Sequence, residues 1–212
     1  GGVLTLVELP VNVGLANALN EGLVYCKHNL VARMDTDDVA LPDRFEKQLK
    51  VIAEGYDLVG GAILEVDEKS RPIAIRRMPL TGEKIRTLLP QRCPFNHMTV
   101  VFRADLVRKV GGYPYFRTKQ DYSLWASMIS QGARVANISD VVVHVLAGSG
   151  MYKRRGGLTY GVLEIGIQRH LLRCGVTTVP KAIFYGLLRT TVFLLPWQLR
   201  GWVYRKFLRK LV

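Results

Sequence analysis

Cysteine is scarce: three residues, Cys26, Cys93 and Cys174, lie scattered through 212 positions. An odd and widely spaced set makes neither a disulfide framework nor a zinc site, so a reducing cytosol is the expected home. Long apolar runs are also missing. The stretch AIFYGLLRTTVFLL (182–195) is 14 residues long and carries Arg189, short of the roughly 20 apolar residues a spanning helix needs. Internal repeats and low-complexity segments are absent. The opening GGVLTLVELP lacks an initiating Met and the charged n-region of a signal peptide, and a chain whose N-terminus has been removed is expected. Acid is nearly missing from the last sixty residues. Residues 153–212 hold 12 Lys/Arg and a single acid, Glu164, for +11, whereas 1–152 sum to +2.

What is present suffices for a sizeable core. The chain is 49% hydrophobic, with mean hydropathy +0.12 and pI near 9.9. The charge asymmetry predicts a near-neutral domain followed by a basic region. Basic surfaces attract nucleic acid, anionic lipid or phosphorylated small molecules, and charge alone does not choose among them.

Periodicity places the elements. Val3 to Leu9 and NLVARMD read as strands, and Asn17 to Cys26 as a helix. Pro42 suits the first turn of another helix, whose Phe45, Leu49 and Ile52 form one face before Gly55 ends it. DLVGGAILEVD (57–67) and HMTVVFR (97–103) read as strands. ADLVRKV is a short helix stopped at Gly111-Gly112. Gln120 to Gln131 is a helix with Leu124, Met128 and Ile129 inward, and ARVANIS and DVVVHVL are closing strands. Strands alternating with helices predict an α/β fold with a mixed, mostly parallel sheet. The expected division is a domain over 1–150 and, over 151–212, a glycine-rich basic loop with a helical tail. WQLRGWVYRKFLRKLV (197–212) has the stripe of an interfacial amphipathic helix. The same stripe also suits a helix packed on the domain with a solvated basic face.

One cluster of acids stands out in this basic chain. LVARMDTDDVALPDRF (30–45) carries Asp35, Asp37 and Asp38 at a strand end, where ligands sit in α/β sheets. A calcium loop starting at Asp35 fails, because Ala40 stands where glycine is needed and Pro42 lies inside it. Capping of the following helix by Asp37 or Asp38 explains one acid but not three. Like charges this close repel unless neutralised. A hard divalent ion bridging to a diphosphate would do that, which predicts a nucleoside-diphosphate site.

NVGLANALNEGL, ARMDTDDVALPDRFEKQ, CPFNHMTVVFR, VGGYPYF, QDYSLWASMISQGARV and GMYKRRGG occur in that order. Together they resemble bacterial family 2 glycosyltransferases of the branch that builds exopolysaccharide, capsule or O-antigen units. The resemblance covers roughly residues 3–160, and the closing LLPWQLRGWVYRKFLRK is similar to tails in that branch. It implies the GT-A fold and an inverting, metal-dependent transfer from a nucleotide-sugar, most naturally a UDP-sugar, to a lipid-linked saccharide. The expected place is the cytoplasmic face of the plasma membrane, held peripherally on anionic lipid. The DxD motif matches Asp35 and Asp37, which implies Mn²⁺ or Mg²⁺ there, with Asp38 as a further acid. The metal would offset the charge of the leaving diphosphate.

The family's general base belongs to an acidic pair at a helix start. Here the pair is Gln120-Asp121, so the role carries to Asp121 alone; the plain alternative is a helix cap. Arg33 is expected among the donor-binding residues with His97, which lies in the family's NH-T pattern and could line the donor or the acceptor pocket; the plain alternative for His97 is a structural histidine. Lys153, Arg154 and Arg155 form a glycine-flanked loop suited to phosphate, either the donor diphosphate or the pyrophosphate of a lipid-linked acceptor; the plain alternative is a solvated charged loop. Trp125 and Tyr122 read as core residues, and Asn12 and Gly14 as a turn beneath the nucleotide. The family begins with a strand–loop–helix–strand unit that holds base and ribose, and residue 3 already resembles its third strand, so weak nucleotide binding is expected. Competing readings are a nucleotidyltransferase, which calls for a glycine-rich phosphate loop, and a nucleic-acid-binding protein. The second calls for base-stacking aromatics among the charges, and no nucleic acid is expected as a partner.

Overall fold

A computed structural model of the chain describes residues 4–146, 157–196, 198–199 and 210–211. In chain order the helices are α1 (Leu15–Val24), α2 (Arg44–Ala53), α3 (Gly82–Leu88), α4 (Ala104–Lys109), α5 (Gln120–Ser130), α6 (Leu158–Arg173) and α7 (Val179–Leu194). The strands are β1 (Leu30–Ala32), β2 (Val39–Ala40), β3 (Leu58–Val66), β4 (Pro72–Arg76), β5 (Val101–Arg103), β6 (Val135–Leu146) and β7 (Lys210–Leu211), with a 3-10 turn at His97–Thr99.

β3 is the spine of the sheet. β6 runs parallel to it from Leu58–Val135 to Val66–Leu146. β5 pairs antiparallel with its start and β4 with its end. β1 adds to β5, β2 to β6 and β7 to β4, all antiparallel. The sheet is mixed and flanked by helices as expected, but among the described pairs only β3–β6 is parallel. The cause is local: Asp67 ties the backbone of Lys69 and Arg71 into a tight turn, so β3 returns as a hairpin rather than through a crossover helix.

The Gly60-Gly61 pair inside β3 has a packing reason. A Cβ on Gly60 would stand 2.2 Å from Asn137 Oδ1. That asparagine donates to the carbonyls of Pro79 and Pro94, so bare backbone at Gly60 lets two loops fasten to the sheet. Trp125 of α5 is fully buried at the centre of the core. Phe95, Phe102, Tyr113 and His97 surround it at centroid distances of 5.9, 6.0, 6.3 and 6.0 Å. These are favourable tilted and edge arrangements.

Several expectations change. Residues 4–9 enter no ladder. The expected strand 97–103 begins as the 3-10 turn, because Thr99 Oγ1 donates to the carbonyl of Asn96 and competes with extended pairing. ARVANIS and DVVVHVL are one strand, β6, with register shifts opposite Gly60–Ile63. At the C-terminus Lys210–Leu211 are extended against β4 rather than helical. The rest of the tail, apart from residues 198–199, lies outside the described residues.

Candidate functional site

β1 ends at Ala32, and the chain then turns through the acidic loop. The Arg33 N–H donates to the Val100 carbonyl at 3.0 Å, and Arg44 Nη2 donates to the Arg33 carbonyl at 2.9 Å. Arg44 is 1% exposed, and its Nε holds Gln48, which in turn donates to the carbonyls of Val59 and Thr99. A buried polar brace from α2 therefore fixes the loop to β3. Arg33 forks onto both oxygens of Asp35, a bidentate pair that sets both planes. Asp38 keeps Oδ2 buried without a partner. Burial, with Asp35 and Asp37 alongside, pushes its carboxyl up to about 6. Asp43, not Asp37 or Asp38, occupies the N-cap of α2, and its carboxylate bridges to Lys47, so capping does not account for the acids.

The second half of the site comes from the turn 97–99 and the start of α5. Asn96 donates to the carbonyls of Gly61 and Arg76, and Thr99 Oγ1 accepts from the Gly61 N–H. These bonds lock the turn to β3 and aim His97 inward. His97 Nε2 lies 3.2 Å from the Tyr113 hydroxyl. Burial drives its pKa down to about 4, with Asp121, Arg33 and Asp35 all close enough to act on it. His97 thus lies within electrostatic reach of both the acidic loop and Asp121, and it is neutral at physiological pH. Asp121 occupies the first turn of α5, where the helix dipole favours a carboxylate. Cys93 Sγ lies 3.8 Å from its Oδ2, and burial first, then Asp121, pushes that thiol well up.

α5 begins from an unusual residue. Lys119 adopts φ 70 at the N-cap, the left-handed region that non-glycine residues rarely visit. Its ammonium is tied to Glu164 of α6, which is fully buried. Arg189 of α7 reaches the same carboxylate at 3.0 Å and the Gln91 carbonyl at 2.7 Å, and Gln168 donates to its other oxygen. Burial lowers the Lys119 pKa to about 8 even with Glu164 opposing it. The backbone angle just before Asp121 is therefore held from the C-terminal helices.

The structure brings Arg33, Asp35, His97 and Asp121 into one electrostatic neighbourhood, with Asp37 and Asp38 on the same loop. Arg154 and Arg155, with Lys153, lie outside the described residues. Asn12 and Gly14 do form a turn, with the Asn12 side chain accepting from the Gly14 N–H. Trp125 and Tyr122 are buried core residues. Pattern reading passed over Tyr113, Cys93 and the Lys119–Glu164–Arg189 triad. Glu164 did carry a signal, as the lone acid in a basic stretch. Two surface hollows, one lined by Asp57, Arg103 and Lys109 and the other by Arg77, Lys84 and Arg92, include none of the site residues.

Among the described residues no group of three or more His, Cys, Asp or Glu could hold a metal ion by itself. The donor set still fits a hard cation of the Mg²⁺ or Mn²⁺ type, which takes one or two carboxylates and leaves the other positions to phosphate and water. Asp37 is exposed and Asp38 has its unpartnered buried oxygen, whereas Asp35 already spends both oxygens on Arg33.

A mixed sheet around β3, with an acidic loop at a strand end and a carboxylate at a neighbouring helix start, is an α/β arrangement of the GT-A type. The family model described as "Glycosyl transferase family 2" matches residues 2–111, and the chain belongs to that family of glycosyltransferases. It is 40% identical over 205 residues to the amylovoran biosynthesis glycosyltransferase AmsE of Erwinia amylovora, covering 96% of this chain and 77% of that protein. It is 33% identical over 204 residues to the UDP-Gal:alpha-D-GlcNAc-diphosphoundecaprenol beta-1,3-galactosyltransferase of Escherichia coli, covering 95% and 74%. In fold it resembles the mannosyltransferase PcManGT of Pyrobaculum calidifontis, solved with GDP-Man and Mn²⁺. The TM-score is 0.53 at 18% identity, over 96% of this chain and 58% of that one. The chain thus spans about three quarters of these curated relatives and a little over half of the solved chain.

Proposed function

We propose that the chain transfers a sugar, with inversion, from a nucleotide-diphosphate donor to a hydroxyl of a lipid-linked saccharide in surface-polysaccharide biosynthesis. The observation that carries this reading is the acidic loop Asp35–Asp38 at the end of β1, together with Asp121 in the first turn of α5, in a chain of glycosyltransferase family 2. The names of the two curated relatives support the polysaccharide setting, the UDP-sugar donor and the lipid diphosphate acceptor. The cytoplasmic membrane face is the corresponding place for the reaction.

In this reading Asp121 takes the proton of the acceptor hydroxyl as its oxygen bonds to the anomeric carbon. The bond from that carbon to the diphosphate breaks on the opposite face, which inverts the centre. Mn²⁺ or Mg²⁺ would be held by Asp37, with Asp35 or Asp38, and would offset the leaving diphosphate's charge. Arg33, buried and forked onto Asp35, holds that carboxylate in place on the donor side of the loop. His97, neutral and held by Tyr113, supplies a hydrogen bond without charge. Arg154 and Arg155 add basic contacts to phosphate.

The test is sugar-nucleotide turnover with a lipid-linked acceptor, with and without Mn²⁺, for the wild type and Asp121→Asn. Turnover should require the cation. The variant should lose about 10²-fold or more in rate while keeping donor affinity, since a positioned base contributes roughly 10²–10⁴. Near-normal turnover in Asp121→Asn would remove the base assignment.

A further inference from the structure

The only acid in residues 153–212, Glu164, is fully buried and consumed by Lys119 and Arg189. The outer surface of α6 and α7 therefore carries no acidic side chain. It does carry apolar ones. Leu158, Val162 and Ile165 recur along one stripe of α6, and Ile183 and Leu187 along α7, each more than half exposed. The opposite sides of the two helices are satisfied, with Ile167, Leu171, Ala182 and Phe193 buried.

The two stripes adjoin. Gly161 meets Thr190 so closely that a Cβ there would lie 3.1 Å from the threonine methyl. Val162 follows Gly161, and Leu187 lies one turn before Thr190, so each stripe borders the same seam. Arg169 and Arg173 continue the α6 stripe and are exposed. Among the described residues no helix is long and apolar enough to cross a membrane.

We propose that this outer face of the α6–α7 pair docks on an anionic lipid surface. Its apolar stripes would lie at the acyl boundary, and Arg169 and Arg173 would lie among the headgroup phosphates. Apolar area combined with cations alone is what an interfacial element needs. A second copy of the chain fits poorly, since two such faces would press cation on cation with no carboxylate between them. The inference rests on the proposed lipid-linked acceptor for its biological sense, and it is separate from the basic stretch 197–212.

The experiment is co-sedimentation of the full chain with phosphatidylcholine vesicles, with and without phosphatidylglycerol. The wild type should bind the anionic vesicles. Val162→Glu with Leu187→Glu should lower the partition coefficient about tenfold or more. Arg169→Gln with Arg173→Gln, a surface change that leaves the packing intact, should weaken binding to the anionic vesicles alone. Sedimentation of both variants equal to wild type would overturn the proposal. So would a wild type that dimerises through this face and ignores lipid. Vesicle binding without sugar transfer would support the surface and count against the reaction; transfer without vesicle binding would do the reverse.

Discussion

At the scale of single residues, His97 is the most informative group. Its ring is held by Tyr113 and packed on Trp125, with Asp121, Arg33 and Asp35 acting on it. An unfolded histidine titrates near 6.5, while burial places this one at about 4. The folded state therefore binds fewer protons between those values. The stability this residue contributes is present above pH 6.5 and is lost as pH falls through 4. The ceiling is on the order of 3 kcal/mol for such a shift. Chemical denaturation at pH 7 and pH 5 should show wild type losing stability across that window, and His97→Gln should lose less. Equal losses would mean the ring is solvated. In the sequence, the acidic loop was legible as a cluster of like charges at a strand end, whereas Asp121 stood out only through the family resemblance. The fork between Arg33 and Asp35 was not legible, since adjacency two residues apart does not reveal which carboxylate a guanidinium chooses.

At the scale of elements, legibility tracked how local the stabilising interactions are. α2 and α5 carry apolar faces at helical spacing, and positive-φ glycines end or follow α2 and α4. α3 passed unseen. It has seven residues, Ile85 is its buried side chain, and it is secured by Thr81 at its N-cap and by Arg86 reaching the carbonyls of Ile129 and Ala133. Those last bonds are tertiary, and no window of sequence contains them. The ion triad between α5, α6 and α7 is likewise non-local, and it has a measurable consequence. Replacing Glu164 by Gln keeps the volume but leaves Lys119 and Arg189 facing each other across a buried site. Breaking a buried pair in this way costs about 3–5 kcal/mol. For a chain of this size that corresponds to a fall in Tm on the order of 10 °C. Thermal unfolding followed by circular dichroism reads it directly. A drop of only a degree or two would show that the triad is a bystander and that α5 is positioned by packing alone.

At the scale of the whole molecule, the chain joins a near-neutral α/β layer to a strongly basic C-terminal region, yet the two share one interior. Ile167 and Leu171 of α6 belong to the same buried cluster as Trp125, Phe102 and Leu58. Charge composition suggested a boundary near residue 150, and packing ties the helices beyond it to α5. Losing a buried Ile or Leu side chain costs roughly 2–5 kcal/mol. Removing both, together with the Glu164 triad, therefore approaches the 5–15 kcal/mol that typically holds a whole domain together. A chain ending at residue 156 should accordingly lose its near-ultraviolet dichroism and cooperative melting while keeping part of its far-ultraviolet signal. The full chain should unfold in a single transition seen alike by both probes. If the shortened chain melts cooperatively at a similar temperature, the α/β layer is self-sufficient. The C-terminal helices would then serve Asp121 and the lipid surface without being needed for the fold.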